Sequence, residues 1–225
     1  ITGASRGIGR AIALKLGCPG NHLILHGRNK IELETTWSAV LDQGGEAEVV
    51  FCDLAIPAHI EQMAHLLVAN PIDILINNAG IAVVKPYHEL SLDEWQTTVA
   101  VNITAPFLLT KHLAPSIPRG GSVVNVLSIA AKVGFADWSS YCMSKAALDG
   151  FARALREELR PKGIRVINIY PASTDTEIWD SVPGEWSRER MMRPDAVAEA
   201  VAMALAQPAE VLVEDITLGP LGGAL

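Results

Sequence analysis

A doubly wound α/β fold around a mainly parallel sheet is what this sequence predicts, and three observations predict it. Short apolar runs alternate with amphipathic helical stretches along the 225 residues, the order expected of successive βα units. A glycine-rich turn, Gly3-x-x-x-Gly7-x-Gly9, leads directly into the first helical pattern. The apolar run Ser122–Leu127 ends at a polar cluster, Ser128, Tyr141 and Lys145, at the carboxyl end of a strand, where open α/β sheets place their ligands.

Each element follows from local pattern. The chain opens ITGASRGIG, with no initiator Met. Ile1 and Thr2 alone are too few for a central strand, so further residues ahead of them are expected. Ile8, Ile12 and Leu16 line one side of the helix after the glycine turn. That turn suits a pyrophosphate, although its spacing differs from G-x-G-x-x-G and an ordinary tight βα turn would look similar. His22–His26 is the second strand and a helix begins near Asn29. The position after this strand, where an acidic residue would hold a ribose 2′-hydroxyl, is Gly27-Arg28. Arg28, with Arg6, suits a 2′-phosphate instead. NADP(H) is therefore favoured, with NAD(H) possible and a solvated surface Arg28 as the bland alternative.

Ala47–Phe51 is the third strand, ending at Cys52-Asp53-Leu54. Asp53 either accepts from an adenine amino group or caps the helix that starts near Pro57. Asp73–Ile76 is the fourth strand, running into Asn77-Asn78-Ala79-Gly80. Small residues there admit a ribose or nicotinamide, while the two asparagines are equally suited to tying strands together. Ser91-x-x-Glu94 is a capping box for a long helix reaching about Leu113. Pro106 has no N–H for the carbonyl of Asn102, so a kink is expected there.

After Ser128–Lys145 comes a helix whose apolar face carries Leu148, Phe151, Ala152, Leu155 and Leu159. Tyr141 and Lys145 are four apart and share a face. An ammonium beside a phenol favours the phenolate, so the pair reads as a proton-transfer site with Ser128 binding the reacting oxygen. Ile164–Tyr170 is the sixth strand. The aperiodic stretch 172–193, with Trp179, Trp186, Met191 and Met192, is either a lid over an apolar substrate or a loop anchored to the body. A helix over Pro194–Ala206 and a strand over Val211–Thr217 complete the order.

Composition excludes several classes. Formal charge is −7 and no basic stretch exceeds two adjacent residues, which argues against a nucleic-acid surface. No apolar run approaches the roughly 20 residues of a membrane span, and the start is unlike a signal peptide. Cys18, Cys52 and Cys142 are scattered, as expected of reduced thiols in a cytoplasmic protein. The histidines and carboxylates show no metal-ligand spacing.

Thr2–Gly9 (TGASRGIG), Asp53, Asn77–Gly80 (NNAG), Asn102, Ser128 and Tyr141-x-x-x-Lys145 together resemble, in order and spacing, the short-chain dehydrogenase/reductase family. The resemblance covers essentially the whole chain. It implies one Rossmann-type domain over residues 1–225, with a seven-stranded parallel sheet in the order 3-2-1-4-5-6-7. It implies hydride transfer between nicotinamide C4 and a carbonyl carbon. Tyr141 would be the general acid/base, Lys145 its partner and a ribose ligand, Ser128 the group orienting the substrate oxygen, and Asn102 the anchor of a water in a relay through Lys145. The cofactor would lie on Gly3, Ser5, Arg6, Gly7, Ile8, Gly9, Arg28, Asp53, Leu54, Asn78, Ala79, Gly80, Tyr141, Lys145, Pro171, Thr174 and Thr176. Pro171-Ala172 departs from the family's Pro-Gly, a change tolerated unless the backbone needs positive φ.

The resemblance further implies a small carbonyl or alcohol substrate and a homodimer or homotetramer. A 3-oxoacyl-carrier reductase is one alternative, weakened because the loop 172–193 lacks a basic cluster to grip an acidic carrier. An NADPH-binding sensor without turnover is the alternative from another class, and the presence of both Tyr141 and Lys145 ranks it lower.

Overall fold

The structure, a computed structural model, describes residues 1–69 and 71–223. Six strands among them are parallel: β1 (His22–Gly27), β2 (Glu46–Phe51), β3 (Ile74–Asn77), β4 (Ser122–Val126), β5 (Arg165–Pro171) and β6 (Asp215–Leu218). They form two sheets, β1-β2 and β3-β4-β5-β6, rather than one continuous seven-stranded sheet. Between the two lie residues 1–4. Thr2 N–H donates to the Ile76 carbonyl at 3.0 Å, while Ala4 N–H donates to the His26 carbonyl at 2.8 Å and His26 N–H to the Ile1 carbonyl at 3.0 Å. This short stretch therefore bridges the inner edges of β1 and β3 without itself being a strand.

Helices cover both faces, as strands apolar on two sides require. Leu75, Val123 and Val166 face a core shared with α3 (Pro57–Leu67), α5 (Ala105–Leu113) and α6 (Ser139–Leu159). Their neighbours Ile76, Val124 and Ile167 point the other way, toward α1 (Gly7–Leu16) and α7 (Pro194–Leu205). α2 (Lys30–Asp42) covers β1 through Leu33 and Val40.

Local signals set most boundaries. The Asn29 side chain accepts from Glu32 N–H and opens α2. The Ser91–Glu94 capping box is formed in both directions at the start of α4 (Leu92–Val99). The long helix expected over 91–113 is instead α4, a π-helical segment Ala100–Thr104 and α5. The wider turn answers the donor that Pro106 lacks. The last strand is shorter than the expected Val211–Thr217, because only residues from Asp215 on pair with β5.

Asn77, Asn125 and Asn168 stand in register across β3, β4 and β5. Asn77 Nδ2 donates to Asn125 Oδ1 at 3.0 Å, and Asn125 Nδ2 donates to Asn168 Oδ1 at 3.1 Å. Asn77 thus has the strand-tying role, as one of its two readings held.

Candidate active site

A cleft of about 490 Å³ opens at the carboxyl ends of the strands. Every residue expected at the cofactor lines it, as do Ser128, Tyr141 and Lys145; Asn102 does not. The glycine turn forms its floor. Gly3 and Gly7 have φ of 65° and 53°, a region that favours glycine. A Cβ on Gly9 would stand 2.1 Å from the Gly3 carbonyl oxygen and 2.4 Å from Asn78 Nδ2, so turn and helix meet where only hydrogen fits. Asn78 Nδ2 donates to the Thr2 and Gly3 carbonyls at 2.9 and 3.2 Å. No side chain caps α1, which leaves first-turn N–H groups facing the cleft beside Gly7 and Ile8.

One end of the cleft holds Arg6, Arg28, Glu32 and Asp53. Asp53 does not cap α3, whose N-cap is Ile56. Its carboxylate accepts from Ala55 N–H at 3.0 Å and closes a short turn instead. His26 was not foreseen here. It is buried, with Gly3 N–H directed at Nδ1 (3.4 Å) and Nε2 3.0 Å from the Cys52 carbonyl. Those contacts fit the neutral ring with Nε2 protonated. Burial holds its pKa at about 4, against the opposing pull of the Cys52 carbonyl. Glu32 was also missed, although it lies four residues beyond Arg28 in the sequence.

The other end holds Ser128, Tyr141 and Lys145. Ser128 Oγ accepts from Ala130 N–H at 3.1 Å. Burial pushes the Tyr141 phenol up to about 12, with a hydrogen bond to Ser128 acting in the opposite direction. In the cofactor-free protein Lys145 alone does not bring the phenol below its ordinary value. The Lys145 ammonium donates to the Val126 carbonyl at 2.9 Å, is 5.7 Å from the Tyr141 ring centre, and is itself pushed down to about 8 by burial. Desolvation is the largest influence on both groups.

Asn102 lies behind this end. Its Oδ1 accepts from Ile81 N–H at 2.9 Å and its Nδ2 donates to the Ile81 carbonyl at 2.8 Å and to Ser144 Oγ at 3.0 Å. A Cβ on Gly80 would be 3.4 Å from Asn102 Oδ1 and 3.5 Å from Lys145 Nζ, so Asn102, Gly80 and Lys145 are packed together. Ala172 is not among the residues with positive φ, so the methyl in place of glycine brings no backbone strain.

The stretch 172–193 crosses the cleft. Thr174, Thr176, Trp179 and Trp186 line it, whereas Met191 is buried. Its ends are stitched together by Asp175 N–H to the Met192 carbonyl (2.8 Å) and Met192 N–H to the Ser173 carbonyl (3.0 Å). Its residues thus divide between lining the cleft and packing against the body. It does carry three arginines: Arg188 is paired with Asp175 and Asp180, Arg193 with Asp195, and Arg190 is exposed and does not line the cleft.

A family model described as short chain dehydrogenase matches residues 1–185. The chain belongs to that family. Members act on CH–OH or carbonyl groups as oxidoreductases, and so does this chain. The sepiapterin reductase of Chlorobaculum tepidum is 30% identical over 99% of this chain and 96% of its own length. A metagenomic short-chain oxidoreductase in complex with NADP superposes with a TM-score of 0.84 at 33% identity, covering 97% of this chain and 94% of that one. An alcohol dehydrogenase from Thermococcus sibiricus complexed with 5-hydroxy-NADP gives 0.90 at 29% identity, over 98% and 95% of the two chains. Among the described residues no group of His, Cys, Asp and Glu could hold a metal, and no helix is long and apolar enough to cross a membrane.

Proposed function

We propose that this short-chain dehydrogenase is an NADP(H)-dependent carbonyl reductase, running as an alcohol dehydrogenase in reverse, with Tyr141 as its general acid/base. The observation that carries the reading is one continuous cleft with Arg6 and Arg28 at one end and Tyr141 and Ser128 at the other. The chain is similar to proteins solved with NADP and 5-hydroxy-NADP, which supports the same cofactor here.

The residues fit it. The glycine turn, too tight at Gly9 for any side chain, and the uncapped start of α1 suit a pyrophosphate. Arg28 and Arg6 suit the 2′-phosphate, Asp53 and Leu54 the adenine, and Asn78–Gly80 with Pro171, Thr174 and Thr176 the nicotinamide half. When bound, NADPH supplies a hydride for the carbonyl carbon and leaves as NADP⁺.

Tyr141 gives its phenolic proton to the carbonyl oxygen during reduction and takes it back from the alcohol during oxidation. Ser128 donates a second hydrogen bond to the same oxygen. Lys145 holds a ribose hydroxyl and is the route by which the phenol is reprotonated. Asn102 acts through Ile81 and Ser144 as a positioning residue. The burial-raised phenol is protonated at neutral pH, the state that reduction requires of it.

The test is kcat/KM for NADPH and NADH over a panel of ketones. NADPH should be preferred by at least tenfold, and Arg28→Ala should erase most of that preference while kcat changes little. Tyr141→Phe should lower kcat by at least 100-fold with NADPH still bound. Unchanged turnover in Tyr141→Phe would remove the acid/base assignment, and NADH preference would remove the role of Arg28.

A further inference from the structure

Beyond Tyr141 the wall of the cleft is a run of aromatic rings. Trp138 meets Tyr141 edge-on at 5.4 Å between ring centres, Trp179 meets Trp138 at 5.8 Å, and Trp186 lies 4.9 Å from Trp179. All four line the cleft, with Phe135 and Ile178 beside them. Trp179 Nε1 donates to the Thr174 carbonyl at 2.9 Å and Trp186 Nε1 to the Pro183 carbonyl at 3.1 Å. The polar edges of these two indoles are therefore engaged within the covering stretch, and ring surface is what they offer the cleft. Trp138 follows Asp137, the described non-glycine residue held at positive φ (67°), whose carbonyl accepts from Lys85 N–H at 2.9 Å. A strained backbone kept in place by such a tie points to a constrained position for the next side chain.

Charge is distributed the opposite way. Arg6, Arg28, Glu32 and Asp53 gather at the nucleotide end, and the Glu177 carboxylate lies near Gly7, 3.4 Å from where its Cβ would stand. Arg188, the guanidinium at the base of the cover, is paired with Asp175 and Asp180. Lys145 is occupied by the Val126 carbonyl. A substrate carboxylate beside the tryptophans would lose water with no cation to replace it.

We infer that the substrate is an uncharged carbonyl compound bearing an aromatic ring, or the corresponding alcohol, with the ring packed against Trp138 and Trp179 and the carbonyl oxygen directed to Tyr141 and Ser128. The inference rests on the reading of Tyr141 as the acid/base. Aromatic pairs gain more than the area they bury, which amounts to roughly two- to tenfold in affinity over an aliphatic ring of equal size.

The experiment compares kcat/KM of the full chain with NADPH for acetophenone, cyclohexyl methyl ketone and the anion 4-acetylbenzoate. Acetophenone should exceed the cyclohexyl compound by about fivefold and the anion by at least tenfold. Trp179→Leu and Trp138→Leu should each reduce the aryl-over-cyclohexyl ratio below two, chiefly through KM, with the Kd for NADPH within a factor of two. Trp179→Phe, which keeps a ring, should retain at least half of the ratio and serves if the leucine variant does not fold. Equal use of the two neutral ketones, or preference for the anion, overturns the inference while leaving the reductase reading intact. If no carbonyl on the panel is turned over although NADPH binds, the Tyr141 reading fails. The ring site is then judged by tryptophan fluorescence: saturable quenching by acetophenone that Trp179→Leu removes supports it, and no saturable quenching overturns it.

Discussion

Lys145 Nζ donates to the Val126 carbonyl at 2.9 Å and stands 5.7 Å from the centre of the Tyr141 ring. The ammonium is thus anchored to the end of β4, close to the phenol but not bonded to it. Burial acts on the two groups in opposite directions, raising Tyr141 to about 12 and lowering Lys145 to about 8. In the cofactor-free protein the proton donor for reduction is therefore intact across the physiological range, and the group that titrates first is the lysine.

The pH profile should carry that signature. For NADPH, kcat/KM reports the free enzyme and should fall above about pH 8 as Lys145 loses its charge. Stopped-flow or steady-state rates of ketone reduction between pH 6 and 10 measure it. Lys145→Met should lie lower throughout and lack that limb. A limb retained in Lys145→Met would assign it to another group. The difference in absorbance at 295 nm between wild type and Tyr141→Phe should show no phenolate below about pH 11, since the phenol titrates near 12.

Gly9 carries the sharpest steric prediction. A methyl there would overlap the Gly3 carbonyl at 2.1 Å and the Asn78 amide at 2.4 Å. Neither is the free end of a flexible chain, because Asn78 is held by the Thr2 and Gly3 carbonyls. Gly9→Ala should open the turn, destabilise the fold by about 1–3 kcal/mol and weaken NADPH binding at least tenfold. Urea unfolding and fluorescence titration of the cofactor measure the two effects. An unchanged Kd would mean that the turn does not cradle the cofactor.

Much of this was legible because it follows from local rules. The Asn29 cap, the Ser91–Glu94 box and the break forced by Pro106 each depend on a few adjacent residues. The four-residue spacing of Tyr141 and Lys145 places both side chains on the wall of the same cleft. The direction in which the phenol titrates was not legible. Spacing reports that two side chains are neighbours, whereas desolvation depends on everything packed around them. His26 and Trp138 escaped for a similar reason. His26 acts only where residues 1–4, β1 and the end of β2 converge, and Trp138 only once the covering stretch returns Trp179 to meet it. The continuous seven-stranded sheet was expected from resemblance, and residues 1–4 make its central hydrogen bonds without its regular strand geometry.

Asn102 should prove as important to stability as to turnover. Its amide serves both the N–H and the carbonyl of Ile81, in the manner of a strand, and reaches Ser144 on α6. Asn102→Ala leaves two backbone groups without these partners at about 1–3 kcal/mol each. A loss of about 2–4 kcal/mol in urea unfolding is expected, together with a fall in kcat. Asn102→Asp should not rescue it, since a carboxylate cannot donate to the Ile81 carbonyl. Wild-type stability in Asn102→Ala would show that water replaces the amide without cost.

His26 links cofactor floor and acid stability. Its neutral ring accepts from Gly3 N–H and donates to the Cys52 carbonyl, and burial keeps it neutral down to about pH 4, against an ordinary value of 6.5. Between those two values the unfolded chain takes up a proton that the folded chain does not. The stability tied to this residue is therefore fully present above about pH 6.5, is lost progressively as pH falls, and stops falling below about pH 4, for a total of up to about 3 kcal/mol. Unfolding free energies at pH 7.5 and 4.5 should differ less in His26→Leu than in wild type, because the variant removes this titration and leaves the carboxylates unchanged. The variant should also bind NADPH more weakly at pH 7.5, having lost the acceptor that holds Gly3. Equal pH dependence in the two proteins would show that His26 takes up its proton at the same pH in the folded and unfolded chains, and burial would then not be holding the ring neutral.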